Sequence, residues 1–303
     1  MAVNRRRWSS IIVVVVGMAT LLLVVSACTT TVQDTEATAL LQDPTFGLSH
    51  LNDELQTVKE TLAGLPQASD TAIQEGACDG LPSHAELKDA LATARNENNG
   101  GFNLDMWGTV VNRGGVVCQV AFTGNDPGDQ WPGSRVISAQ KANTANAFSL
   151  PGLAISTANL FSAVQPGGSL FGLQFSNPVD TSLAYGGSWD NYGQPDDPMV
   201  GGKIGGVNVF GGGLPLYDSD GKLWGAIGVS GDSSCADHNI AWRTRKNLAL
   251  DFVPGGLSGD AERPDSIVFD IGDSGKSKSG WGHPLCGATD KEGNIAGSLP
   301  PIS

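Results

Sequence analysis

Residues 222–242 read KLWGAIGVSGDSSCADHNIAW, and the break in their middle decides how the chain folds. Leu223 to Val229 is a short apolar run, bounded by glycines, that reads as a buried strand. Gly228-Val229-Ser230-Gly231 stops it, and an Asp237-His238 pair follows on a segment with helical spacing. Two readings of this corner compete: Ser230 as a nucleophile with His238 as its base, or a ligand cradle. A nucleophile elbow needs Gly-x-Ser-x-Gly to make its strained turn. Here Asp232 stands where the second glycine belongs, and His238 follows Ser230 on the very next helix. Ser230 therefore reads as a turn residue. The cradle has more in its favour. Ser234 and Asp237 can cap the first helical turn, and the remaining N–H groups attract carboxylates. His238, Trp242 and Arg245 fall at i, i+4 and i+7, which puts an imidazole, an aromatic face and a cation on one stripe.

Working outward, VNVF (207–210), a triple glycine (211–213), LPLY (214–217) and the turn Asp218-Ser219-Asp220-Gly221 precede that strand. They predict three strands in meander order. MWGTVVN (106–112) and VVCQVAF (116–122) flank Arg113-Gly114-Gly115 and predict a hairpin. Between hairpin and meander, SRVISAQKANTANAFS (134–149) reads as a helix whose Ala139, Ala142 and Ala145 permit a close neighbour. TANLFSAV (157–164) reads as a short second helix. Ser83-His84-Ala85-Glu86 has the form of a capping box, with Leu87, Ala90, Leu91 and Ala94 on one face of the helix it starts. Residues 176–206 lack a sustained period and predict an ordered surface loop; 251–303 read mostly as coil. The order predicts the α+β class: an antiparallel sheet of about five strands, helices packed mainly on one face, an N-terminal helix and a coil-rich tail.

The start of the chain is a separate matter. Arg5, Arg6 and Arg7 precede an apolar run from Ile11 to Val25, and Val25-Ser26-Ala27-Cys28 resembles a bacterial lipobox. The expected organisation is a signal peptide at 1–27, a lipid on Cys28, a tether over 28–47, a helical segment over 48–82, a main domain over 83–250 and the tail over 251–303. In the helical segment Leu51, Leu55, Val58 and Leu62 share a stripe. The chain carries 18 Lys and Arg against 31 Asp and Glu, a net charge of −13; loss of the three leader arginines takes it to −16. So acidic a surface repels nucleic acid and anionic lipid, leaving the acyl anchor as the membrane contact. The expected location is extracytoplasmic and lipid-anchored to a membrane, in the outer membrane or periplasm or at the cell surface. Cys78, Cys118, Cys235 and Cys286 remain, and an even number in an exported chain points to two disulfides with three possible connectivities. Cys78–Cys118 with Cys235–Cys286 is the expected pairing, the second bridge tying the tail to the main domain.

Three other motifs fail on context. Gly272-Asp273-Ser274-Gly275 lacks the strands and partners of a serine protease loop. Lys276-Ser277 lacks the first glycine of a P-loop. Asp218-Ser219-Asp220-Gly221 would need glutamate where Val229 stands to close a calcium loop.

Asn112-Arg113-Gly114-Gly115, Lys141-Ala142-Asn143-Thr144-Ala145, Gly212-Gly213-Leu214-Pro215-Leu216 and Gly225 to Gly231 with Asp237 are, in this order, similar to the GlcG/HbpS family. These are bacterial haem-binding or haem-sensing proteins, also found as accessory proteins near glycolate and propanediol utilisation genes. The resemblance covers about residues 83–250. It implies a profilin-like domain that forms homo-oligomers, with haem or a related tetrapyrrole as ligand. Asn112 departs from the family's usual aspartate, and 176–206 has the character of an insertion. A haem site needs an apolar slot, groups for the propionates and an axial ligand. The candidates are His238, Asp237, Ser230, Gly231, Lys141, Thr144 and Arg135. His238 is first for iron, with His84 the runner-up, then His283; Tyr185 and Tyr192 stand further out. Arg243 is a further propionate candidate. The function so implied is a lipid-anchored protein that captures, stores or senses haem. A structural assembly module without ligand is the alternative. An enzyme degrading haem or handling a small carboxylate comes last, because no nucleophile, metal set or paired catalytic acid emerges.

Overall fold

The computed structural model describes residues 48–63, 76–287 and 291–303. The leader, Cys28 and the tether lie outside the described residues. The chain divides into two units, 1–70 and 71–303. In the first, α1 (Leu48–Ala63) forms where the apolar stripe predicts a helix. No described helix is long and apolar enough to cross a membrane.

The second unit is built on an antiparallel sheet. Its strands are β1 (Trp107–Asn112), β2 (Val117–Phe122), β3 (Gly213–Tyr217) and β4 (Leu223–Ser230), in the order β2-β1-β4-β3. The hairpin and the last two strands of the meander form as expected, and β4 inserts between β1 and β3. VNVF does not become a fifth strand. Asn208 N–H is instead satisfied by Thr144 Oγ1, and Val209 and Val207 pack into a side cluster, so the segment runs extended without a ladder. Each outer strand is tied by the chain itself. Val117 exchanges backbone hydrogen bonds with Gly201 and Gly202, and Tyr217 does so with Leu250 and Phe252.

Strand alternation sorts the core into two layers. Val110, Leu214, Leu216, Ile227 and Val229 face α2 (His84–Arg95) and α5 (Ser234–Asn247). Val111, Val117, Val120 and Ala226 face α3 (Ser134–Phe148) through Val136, Ala139, Ala142 and Ala145. Two of these three helices share a face, and α3 crosses the other. The Ser83 capping box is present: Glu86 Oε2 accepts Ser83 N–H at 2.8 Å, and Ser83 Oγ accepts Glu86 N–H. The alanines of α3 let it lie on β4 so closely that a Cβ on Gly228 would sit 1.9 Å from Ser138 O.

TANLFSAV forms two turns of 3-10 helix, Thr157–Leu160 and Ser162–Val164. The 176–206 segment is irregular, with one short helix, α4 (Thr181–Ala184), and one 3-10 turn, Trp189–Asn191. The tail is largely coil apart from α6 (Lys291–Gly297), yet it packs firmly. Arg245 makes a two-pronged pair with Asp265 at 2.6 and 2.8 Å, and Trp242 Nε1 donates to Pro300 O. Both disulfides form as expected, Cys78–Cys118 and Cys235–Cys286.

Candidate functional site

The corner after β4 brings the family-motif residues together. Lys141 projects from α3, and Asp237 from the first turn of α5. They meet past the glycines that lead into β3, with Lys141 Nζ 2.7 Å from Asp237 Oδ2. That meeting needs residues without side chains. A Cβ on Gly211 would sit 2.3 Å from Ser234 O, and one on Gly212, whose φ is +118°, 2.2 Å from Val229 O. The triple glycine is thus the gap through which the two helices' polar groups touch.

The ammonium also donates to Val229 O at 3.0 Å and Ser230 Oγ at 3.3 Å. Asp237 Oδ1 accepts Asp232 N–H at 2.8 Å. Both members of the pair are buried. Burial disfavours each charge: it raises the Asp237 carboxyl to about 6 against the pull of Lys141, and it lowers Lys141 against the pull of Asp237. The donors and acceptors of the centre answer one another. Ser230 is the last residue of β4, opposite Trp107, rather than a turn residue; its hydroxyl reaches Ser134 Oγ and Lys141, and among the described residues no histidine meets it as a base. Asp232 takes the place of the second elbow glycine because its carboxylate accepts Phe102, Leu104 and Ser233 N–H. Gly231 lies flat against Asp105 O, and a Cβ there would clash with it at 2.4 Å.

The helix cap differs from expectation by one residue. Ser233, not Ser234, is the N-cap and accepts Ala236 N–H; Asp237 is spent on Lys141. The His238–Trp242–Arg245 stripe exists, with Arg245 stacked 4.7 Å from the Trp242 ring, but it faces the tail. His238 is wholly buried, and its Nε2 accepts Ile267 N–H at 3.1 Å. Its Nδ1 must then carry the proton, and among the described residues no partner meets it. Burial, with Arg245, His283 and Lys141 nearby, holds the imidazole down at about 3, so it is neutral across the physiological range.

Arg135, Thr144, Arg243 and His283 are equally committed, whereas Tyr185 and His84 are not enclosed. Arg135 forms a buried two-pronged pair with Asp197, donates to Ala184 O and stacks 3.7 Å over Tyr192, so it anchors the 176–206 segment. Thr144 bonds Gln140 O as well as Asn208 N–H. Arg243 pairs with Glu97 and Asn99. His283 is buried between Pro284 O and Ser234 Oγ. Tyr185 is exposed. His84 is half-buried at the start of α2; its Nε2 donates to Gly193 O at 2.9 Å, which leaves Nδ1 with the lone pair.

This set does not fit an internal haem. Apart from His84, Tyr185 and Tyr192 its members are enclosed, and none of the set borders either of two open grooves elsewhere on the molecule. One groove, about 690 Å³, carries Glu86 and Asp89, carboxylates that repel propionates. The other, about 300 Å³, runs past Asn112, Arg113 and Trp224. The expectation of a haem cradle at His238 is therefore corrected: the tail supplies the N–H and the apolar cover that a ligand would have taken. Asp265, Asp197 and Ile267 are the partners that spacing did not disclose, because they lie in segments without periodicity.

An antiparallel α+β domain with a sealed lysine–aspartate centre is the class that fold and geometry define. A family model described as haem-degrading protein, HbpS-like, matches residues 83–245, more than half the chain. The chain belongs to the HbpS-like family. The Klebsiella pneumoniae protein ORFY is 24% identical over 55% of this chain and 90% of its own, with a TM-score of 0.37. A PduOC–haem complex is 22% identical over 54% and 89%, TM-score 0.37, and HbpS is 16% identical over 61% and 94%, TM-score 0.33. A comparison with curated proteins finds no match.

Proposed function

We propose that this is a lipid-anchored, extracytoplasmic haem-binding protein that captures, stores or senses haem at its surface. Membership of the HbpS-like family carries the reading. The two disulfides suit an oxidising compartment. His84 is the candidate iron ligand, since it alone among the proposed histidines is not fully enclosed, and Lys88 lies one helical turn further on. A second reading, a structural module without ligand, draws on the filled centre around Lys141. Titration of the purified chain with haemin separates them. A saturable Soret shift that weakens in His84→Ala and survives in His238→Gln supports surface binding. No saturable shift in any variant leaves the structural reading. Loss of the Soret band with reductant and oxygen, with release of an open-chain tetrapyrrole, would instead make it an enzyme.

A further inference from the structure

The start of α5 carries a second set of groups that the haem reading does not use. Cys235, His283 and Cys286 each offer a ligand atom, and these atoms lie within 4.8 Å of one another. Cys235 is in the first turn of α5, where helix N–H groups favour a thiolate. His283 is held in one tautomer. Its Nδ1 lies 2.6 Å from Pro284 O, so that nitrogen is the N–H, and Nε2 turns its lone pair to Ser234 Oγ at 2.8 Å. A ring N–H fixed by a backbone carbonyl is the usual outer support of a metal-bound histidine. Cys235 N–H points at Cys286 Sγ at 3.0 Å, a donor for a sulfur that gains charge. Cys286 is only half-buried and its neighbour Leu285 is exposed, so an external thiol can reach the bridge.

We propose that the Cys235–Cys286 disulfide is the oxidised form of a soft-metal site, and that the reduced chain binds one Zn²⁺ through Cys235, Cys286 and His283 Nε2. The reductant is a dithiol. One of its thiolates attacks Cys286 Sγ to give a mixed disulfide and free Cys235; its second thiol then displaces Cys286, and the dithiol departs as its own disulfide. Two electrons and two protons pass to the two cysteines. Metal binding returns those two protons to solvent, and the Ser234 hydroxyl gives up the Nε2 lone pair to the ion. Two thiolates and an imidazole are a donor set that zinc accepts, with a fourth position for water. Because the bridge holds the segment that covers His238, oxidation locks that cover by a covalent bond, and reduction with metal holds it by coordination.

The test is a Co²⁺ titration of the full chain, oxidised and after anaerobic dithiol reduction. The expected result is one equivalent of Co²⁺ bound only by the reduced chain, with thiolate-to-cobalt charge-transfer absorption that Zn²⁺ abolishes. His283→Ala, which leaves both cysteines in place, should weaken binding by at least ~10-fold. Cys78→Ala/Cys118→Ala should keep the signal, which assigns it to the other cysteine pair. The proposal is overturned if the reduced chain shows no charge-transfer band while its circular dichroism stays native. It is overturned equally if the band persists in Cys235→Ser/Cys286→Ser, or if reduction unfolds the chain and zinc does not restore it. None of these outcomes depends on haem.

Discussion

Replacing Lys141 by methionine tests whether the centre is as sealed as its geometry states. The side chains are close in volume, so the substitution removes charge rather than packing. Asp237 would lose its 2.7 Å partner and Val229 O its 3.0 Å donor at a buried position. Removing one member of a buried pair costs roughly 3–5 kcal/mol, and we expect about 4 kcal/mol at pH 8. The loss should shrink in acid. The Asp237 carboxyl already stands at about 6, above its ordinary value, and without the ammonium it rises further. A carboxyl raised in the folded state favours folding below its unfolded pKa, and that contribution disappears as pH rises through the folded value. The Lys141→Met penalty should therefore be smaller at pH 5 than at pH 8, by about 1.4 kcal/mol for each further pKa unit. Lys141→Met/Asp237→Asn, which keeps an acceptor for Asp232 N–H, should recover more than half. Urea unfolding with both disulfides intact reads all of these. A Lys141→Met cost below ~1 kcal/mol, equal at both pH values, would mean that water reaches the pair and that the sealed centre is wrong.

Gly228→Ala drives a methyl group into the α3 backbone at Ser138 and Ala142 and should cost about 3 kcal/mol in the same assay, with α3 displaced from the sheet. A neutral outcome there would contradict the close contact. The wild-type chain should weaken as pH falls from 6.5 towards 3, because His238 takes up a proton in the unfolded chain while the fold holds it neutral. His238→Gln keeps an acceptor for Ile267 N–H and should lose less stability than wild type between pH 7 and pH 4, by roughly 3 kcal/mol; parallel profiles would show the imidazole to be solvated. Cys235→Ser/Cys286→Ser opens a loop of sequence separation 51 and should cost up to about 4 kcal/mol by chain entropy, read as a lowered thermal midpoint. No change would mean that the tail is held by Arg245–Asp265 and Trp242 alone.

Regular segments were legible from the sequence. The hairpin at Arg113–Gly115, the Ser83 capping box, the alanine face of α3 and the run into Gly228–Gly231 all carry local signals that the fold obeys. Both disulfides follow the expected pairing. Reading failed where a partner lay far away. VNVF has strand composition, but Thr144 across the chain takes the N–H that a ladder needs. His238 sits on an exposed-seeming polar helix, and only Asp265 and Ile267, in a stretch without period, turn its stripe inward. Lys141 and Asp237 were singled out as ligand contacts. Their actual engagement with each other is a tertiary pairing that no spacing within either helix encodes.

The tethering of both outer strands bears on how copies of this chain can assemble. Val117 is already bonded to Gly201 and Gly202, and Tyr217 to Leu250 and Phe252. A neighbouring molecule extending the ladder through either of these two residues must first evict its resident and forfeit those hydrogen bonds. Any homomeric contact is thereby steered towards side chains on helices and loops, and away from the backbone-to-backbone stacking that ends in fibres.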